Sequence, residues 1–180
     1  MGKLFVISGS SGVGKGTVIK EFLKKHPNFK LSVSCTTRKP REGEVNGIHY
    51  FFLSKEDFKT KVEHNDFLEW AEFSGNMYGT QREYVKSKLS EGKNLILEID
   101  TKGALNVKKI MPEATLIFIL PPSFEELEAR LRGRHTETEE AIQKRLNSTR
   151  LEMENSKLFD FQIINDSVEN AIQSLEKIML

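Results

Sequence analysis

Cysteine is nearly absent from this chain of 180 residues: Cys35 stands alone. No internal disulfide can form, so a disulfide-stapled secreted fold is excluded and a reducing compartment, the cytoplasm, is expected. Long apolar runs are missing too. The longest are residues 4–7, 95–97 and 116–120, far from the ~20 apolar residues of a membrane span. The start, Met-Gly-Lys and then four apolar residues, is too short a run for a signal peptide. A myristoyl site at Gly2 reads poorly beside a stretch patterned as a core strand. Charge of one sign is not in excess: 27 Lys and Arg meet 26 Asp and Glu. That balance excludes a generic nucleic-acid coat and a polybasic membrane anchor, so neither nucleic acid nor membrane is expected as a partner. There is no internal repeat and no low-complexity segment, and nothing points to a particular protein partner.

What is present is enough for one real core. A chain of this length buries roughly 70% of its unfolded surface on folding, and 12 Phe supply bulk. Strand, loop and helix patterns alternate, which predicts an α/β domain on a parallel sheet. Residues 4–7 read as a strand covered on both faces. A glycine-rich loop follows, and then a helix with Val18, Ile19, Phe22 and Leu23 on one face, ending before Pro27. Residues 95–99, Thr115–Leu120 and Phe161–Ile164 are further buried strands. Helices are expected near Ser123, with Leu127 and Leu131 as apolar positions, and from about Val168, with Ala171, Ile172, Leu175 and Met179. The middle breaks the rhythm. Residues 32–92 hold β-like pieces at 49–52 and Phe67–Phe73, and one short helix opened by a Ser54/Asp57 capping box. They read as a small mixed subdomain inserted into the core. Thr136 with Glu139 makes a second capping box, so a helix restarts there after the break at 133–137.

Gly9-Ser-Ser-Gly12-Val13-Gly14-Lys15-Gly16-Thr17 lies between a predicted strand and a helix, the context a P-loop needs. Its glycines let backbone N–H groups face phosphate oxygens, and the helix N-terminus adds partial positive charge. Lys15 neutralises the β- and γ-phosphates. Gly16 stands where Ser or Thr is usual, so Thr17 is a displaced candidate for the Mg²⁺ ligand. Asp100 closes the run Asn94-Leu-Ile-Leu-Glu-Ile-Asp at the carboxyl end of a strand, where an acid faces a ligand crevice or caps the following helix. In a second loop, Arg38 and Arg41 flank Pro40 and precede Tyr50. Guanidinium forks suit a phosphate, with Ser34 and Tyr50 as neutral donors. The alternatives are a solvated basic turn and a half-buried strand tyrosine.

Thr36-Thr37-Arg38-x2-Arg41-x2-Glu44-x2-Gly47-x2-Tyr50-x-Phe52 resembles the signature of the guanylate kinase family. The P-loop, the run Leu68-Glu69-Trp70-Ala71 with Tyr78-Gly79-Thr80, and the segment from Gly133-Arg134 resemble the same family, in the same order. The resemblance implies a P-loop NTPase-type parallel sheet with flanking helices, an inserted small mixed α/β subdomain that binds a nucleoside monophosphate, and a helical lid. It divides the chain into a core at about 1–31, 93–126 and 156–180, a GMP-binding subdomain at about 32–92, and a lid at about 127–155. The implied activity is transfer of the γ-phosphate of ATP to GMP, and dGMP, with Mg²⁺ as the cofactor.

By residue match, Ser34, Arg38, Arg41, Tyr50 and Tyr78 hold the GMP phosphate, and Glu69 and Thr80 read the guanine. Guanine's N1–H and 2-amino group suit a carboxylate, and its O6 suits a hydroxyl. Without the resemblance, Glu69 beside Trp70 reads as a surface position on an edge strand. Asp100 lies between the two nucleotides, toward GMP or a metal-bound water. The ATP side takes Gly12, Val13, Gly14, Lys15, Gly16, Thr17, Arg134, Asn165 and Asp166. Asn165-Asp166 also reads as a turn and cap before the last helix. Arg134 and Arg145 join Lys15 and Arg41 around the migrating phosphoryl group, while Arg130 and Arg132 read equally as solvated helix residues. His135 departs from the family pattern. A phosphate monoester has its second pKa at about 6, so the acceptor oxygen is ionised at neutral pH and no general base is expected.

Overall fold

The apolar run after Lys3 becomes β1 (Leu4–Gly9), the central strand of the molecule. A computed structural model describes residues 1–10, 12–133 and 138–180, with backbone alone at 127, 130 and 131. Side chains alternate across a strand, and in β1 both sets are buried. Phe5 and Ile7 enter one hydrophobic cluster, and Leu4 and Val6 enter another. This is why the run is continuous rather than alternating.

The chain continues through α1 (Lys15–Lys25) to β2 (Phe29–Leu31). The inserted region follows: β3 (Cys35–Thr36), β4 (Phe51–Phe52), α2 (Lys55–Glu63), β5 (Phe67–Phe73) and β6 (Asn76–Gln81). Next come α3 (Arg82–Ser90), β7 (Asn94–Glu98), α4 (Thr101–Ile110) and β8 (Thr115–Leu120). The chain ends in α5 (Phe124–Gly133), α6 (Glu139–Asn155), a single 3₁₀ turn at Ser156–Leu158, β9 (Phe161–Ile164) and α7 (Val168–Met179).

The core sheet runs β2-β7-β1-β8-β9, and every pairing is parallel. This is the expected α/β architecture. Helices α1 and α7 cover one face with Val18, Ile19, Phe22, Ala171, Ile172 and Leu175. Helices α3 and α4 cover the other with Val85, Leu89, Ala104 and Val107. The connection β7-α4-β8 steps over β1, so strand order reverses around β1 and leaves a crevice at its carboxyl end. Gly9 ends β1, and Asp100 and Asn165 follow the carboxyl ends of β7 and β9.

The second sheet runs β4-β3-β6-β5 and is mixed. A tight turn joins β5 to β6, with Ser74 and Gly75 both at positive φ, 53° and 77°, as a two-residue hairpin of right-handed twist requires. The register slips by one residue between Phe67 and Glu69. The bulge lets three successive side chains be buried. Phe67 joins the small cluster of Cys35, Phe58 and Met77, Leu68 joins the core, and Glu69 is left facing β6.

Three differences from the sequence expectation stand out. The 32–92 region holds a second helix, α3, and two strands, β3 and β6, that were not expected. The piece expected over 49–52 is a strand only at Phe51–Phe52. The last long helix starts at Glu139, where the Thr138 hydroxyl accepts from Ala141 N–H at 3.3 Å; Thr136, expected as the cap, lies outside the described residues. The Ser54 cap is as expected, accepting from Asp57 N–H at 3.0 Å.

Candidate active site

The P-loop leaves β1 at Gly9 and re-enters regular structure at Lys15. Val13 anchors it by burying its side chain in the core cluster. Gly14 occupies the N-cap of α1 at φ 88°, with no side-chain cap and no acid in the first turn. The first N–H groups of α1 are therefore left for an anion rather than answered by a neighbouring side chain. The Ser10 hydroxyl is buried in the loop with no hydrogen-bond partner among the described residues. Asn165 is buried and donates its Nδ2 to the Val13 carbonyl at 2.7 Å. A β-carbon at position 14 would come within 2.9 Å of that nitrogen. Gly14 is thus required twice, for its backbone and for space. Asn165 clamps the loop; Asp166 is exposed, accepts from Ser167 N–H and Asn170 Nδ2, and sits just ahead of the true cap of α7, Ser167.

Beside the loop, a cavity of about 290 Å³ brings together Ser34, Tyr50, Glu69, Tyr78 and Asp100. Glu69 is buried, contrary to the surface position that its place beside Trp70 suggests, and Trp70 is the exposed member of the pair. Thr80, fully buried, donates its hydroxyl to Glu69 Oε1 at 2.6 Å. Burial pushes the Glu69 carboxyl up to about 7; the Thr80 bond opposes this and the nearby Asp100 charge adds to it. As arranged, the single hydroxyl proton of Thr80 orients the Glu69 carboxylate. Asp100 fills the capping role, accepting from Gly103 N–H at 2.6 Å, while its carboxylate also lines the cavity.

Arg38 is not a solvated turn residue. Its guanidinium makes a bidentate pair with Glu44, at 2.8 and 3.0 Å, and lies 5.4 Å from the Tyr50 ring centroid. Arg38 first, and then the Arg41 N–H at 2.7 Å, hold the Glu44 carboxyl down to about 2. Arg41 itself is exposed; its charge helps to lower the Glu44 carboxyl, but Glu44 holds it by its backbone N–H and not by its guanidinium. The Tyr50 and Tyr78 rings meet edge to face at 6.3 Å. Cys35 is buried, its thiol pushed up to about 11 by burial, with its sulfur accepting from Gln81.

The comparisons agree with this geometry. A guanylate kinase family model matches residues 1–180. The chain is 53% identical over 174 residues to a guanylate kinase of Synechococcus sp. strain CC9311, covering 97% of this chain and 92% of the relative. It is 51% identical over 176 residues to a guanylate kinase of Synechococcus elongatus, covering 98% and 96%. Among solved structures, the crystal structure of guanylate kinase from Anaplasma phagocytophilum superposes with a TM-score of 0.76 at 30% identity, covering 98% of this chain and 84% of that one.

The chain belongs to the guanylate kinase family. Membership makes it a kinase, a nucleotide-binding transferase. Of the arginines that the family resemblance assigns to the phosphoryl group, Arg145 lies half-buried on α6 and Arg134 lies outside the described residues. Arg132 is partly exposed and engaged in ion pairs. It pairs with Glu128 at 2.8 Å and with Glu139 through two bonds, tying α5 to α6.

A further carboxylate, Glu98, was not singled out in the sequence. It is exposed at the end of β7, lines the cavity, and its Oε1 lies 3.6 Å from where a β-carbon on Gly16 would be. The only signal for it in the sequence was an acid interrupting a buried apolar run. For Mg²⁺, the donors present fit. No cluster of three or more His, Cys, Asp or Glu that could cage a metal occurs among the described residues. Magnesium bound mainly by nucleotide phosphates and water needs only one or two hard oxygen ligands, and Thr17, Glu98 and Asp100 supply such oxygens beside the P-loop. No helix among the described residues is long and apolar enough to cross a membrane.

Proposed function

We propose that the chain transfers the γ-phosphoryl group of ATP in line to GMP, releasing ADP and GDP, and that dGMP is a second acceptor. The observation that carries this reading is the buried Glu69 carboxylate, held by Thr80 on the wall of a cavity that adjoins the P-loop. A desolvated acceptor placed there selects a base that offers paired donors, as guanine does. Ser34, Arg38, Arg41, Tyr50 and Tyr78 would take the GMP phosphate.

On the ATP side, the backbone of Gly12, Val13, Gly14, Gly16 and Thr17 would cradle the phosphates, with Asn165 and Asp166 near the adenine. Thr17, Glu98 and Asp100 would hold Mg²⁺ or its waters, and the ion supplies charge neutralisation at the phosphates. Lys15, Arg41, Arg134 and Arg145 would surround the moving phosphoryl group. No side chain takes a proton, because the acceptor phosphate is already ionised near neutral pH. The division into core, a GMP-binding subdomain at 32–92 and a lid at 127–155 fits a site that must close to exclude water. The reading places the enzyme in the cytoplasm, in keeping with its single buried thiol.

ADP release from Mg·ATP with GMP, dGMP, AMP, CMP, UMP and dTMP offered separately tests the proposal. Strong turnover with GMP and dGMP alone is expected. Turnover with a pyrimidine would overturn the base assignment, and binding of GMP without turnover would make the chain a binding module.

A further inference from the structure

The Glu69 carboxylate on the cavity wall backs onto a residue without a side chain. Gly103 is buried in the first turn of α4, and its φ is not in the left-handed region that favours glycine. Glycine is a poor helix residue, so neither backbone conformation nor propensity accounts for it. Space does. A β-carbon there would lie 3.0 Å from Glu69 Oε2 and 3.1 Å from Asp100 Oδ1, both inside ordinary van der Waals contact. The Gly103 N–H donates to the same Asp100 oxygen, and Thr80 holds the opposite oxygen of Glu69. The two carboxylates therefore meet over the bare Cα of Gly103, one from β5 and one from the start of α4.

We infer that Gly103 is a specificity-determining positioning residue: its missing side chain lets the Glu69 and Asp100 carboxylates converge on one point of the cavity wall. Two adjacent acceptors match the N1–H and 2-amino donors of guanine, whose hydrogen bonds offset part of the repulsion between them on binding. The inference rests on the proposed role of Glu69 as the guanine acceptor. Inosine monophosphate is the discriminating probe, because it keeps N1–H and O6 but lacks the 2-amino group.

Gly103→Ala asks the end of a flexible Glu69 side chain to yield by a few tenths of an ångström, and alanine favours the helix, so the fold is retained. Steady-state kinetics with GMP and with inosine monophosphate are compared in the wild type, Gly103→Ala, Gly103→Ser and Glu69→Gln. In Gly103→Ala, kcat/KM for GMP is expected to fall about tenfold, the scale of one weakened hydrogen bond to a charged group, with KM for ATP unchanged. The inosine substrate is expected to lose less than about threefold, so the preference for GMP shrinks, and further in Gly103→Ser. Equal losses for both acceptors, or no change, while Glu69→Gln abolishes the preference, would overturn the role of Gly103 alone. A wild-type preference in Glu69→Gln would overturn the guanine-acceptor role, and the inference with it.

Discussion

Two arginines three positions apart have different lives in this molecule, and Glu44 decides which is which. Its carboxylate takes Arg38 in a bidentate grip and takes only the backbone N–H of Arg41. Arg38 is thereby fixed over the Tyr50 ring, and Arg41 keeps a guanidinium that can engage a phosphate at the moment of transfer. Removing a donor that meets the charge developing in the transition state costs about 10²–10³ in turnover. Arg41→Met is accordingly expected to lower kcat with GMP by that order and leave ATP affinity, measured by calorimetry, within about twofold, since a donor used mainly in the transition state adds little to ground-state binding. Unchanged turnover would remove Arg41 from the catalytic set. The contrast was only half legible in the sequence. The spacing of Arg38, Arg41, Glu44 and Tyr50 carried the family resemblance, but not that Glu44 would satisfy one arginine and leave the other. Thr80 was similarly half legible: its residue type suited a base oxygen, and only the register of β5 on β6 puts its proton on Glu69.

The elements that were legible are those whose signals are local. β1, β8, α1 and α7 each bury a strongly patterned face, and their limits follow the apolar positions; β9 has the expected limits but, as an edge strand, buries Ile163 and leaves Phe161 and Ile164 exposed, contrary to the buried strand expected there. The P-loop was legible because strand, glycine turn, lysine and helix are contiguous. The missed elements lack local signals. β3 is two residues long, β6 carries Gly79 and little alternation, and α3 has no side-chain cap; pairing and burial of Val85 and Leu89 form them. The bulge after Phe67 is also tertiary, and it is what turns Glu69 inward. Asn165 shows the same limit at the P-loop, since its partner Val13 is 152 positions away. That clamp yields a prediction. Asn165→Ala leaves the buried Val13 carbonyl unpaired and opens space beside Gly14. A stability loss of about 1–3 kcal/mol is expected in urea titration. If the clamp sets the loop for phosphate, KM for ATP rises about tenfold while KM for GMP stays within about twofold. A KM for ATP at the wild-type value would reduce Asn165 to a stability residue.

Across the whole molecule, the desolvated carboxylate at the centre makes folding free energy depend on pH. Glu69 has an ordinary value of 4.5 and is raised to about 7 in the fold, chiefly by burial. Below pH 4.5 the folded and unfolded chains both hold the proton, and Glu69 costs nothing. Between 4.5 and 7 the unfolded chain releases the proton and the folded chain keeps it, so stability falls as pH rises. Above 7 both are ionised, and the full cost, on the order of 3 kcal/mol, is present. Glu69→Gln removes that titration and keeps an oxygen for Thr80. Urea titrations of the nucleotide-free protein are therefore expected to show Glu69→Gln more stable than the wild type, by roughly 2 kcal/mol more at pH 8 than at pH 5. A gain of the same size at both pH values would mean that the carboxylate is not desolvated in the fold. A nucleotide that supplies donors to the ionised carboxylate reverses the cost, so saturating GMP is expected to stabilise the wild type more at pH 8 than at pH 5. Glu69→Gln should not share that pH dependence. The instability of the empty site at neutral pH and its preference for guanine then have one cause, a carboxylate kept from water until a base with paired donors arrives.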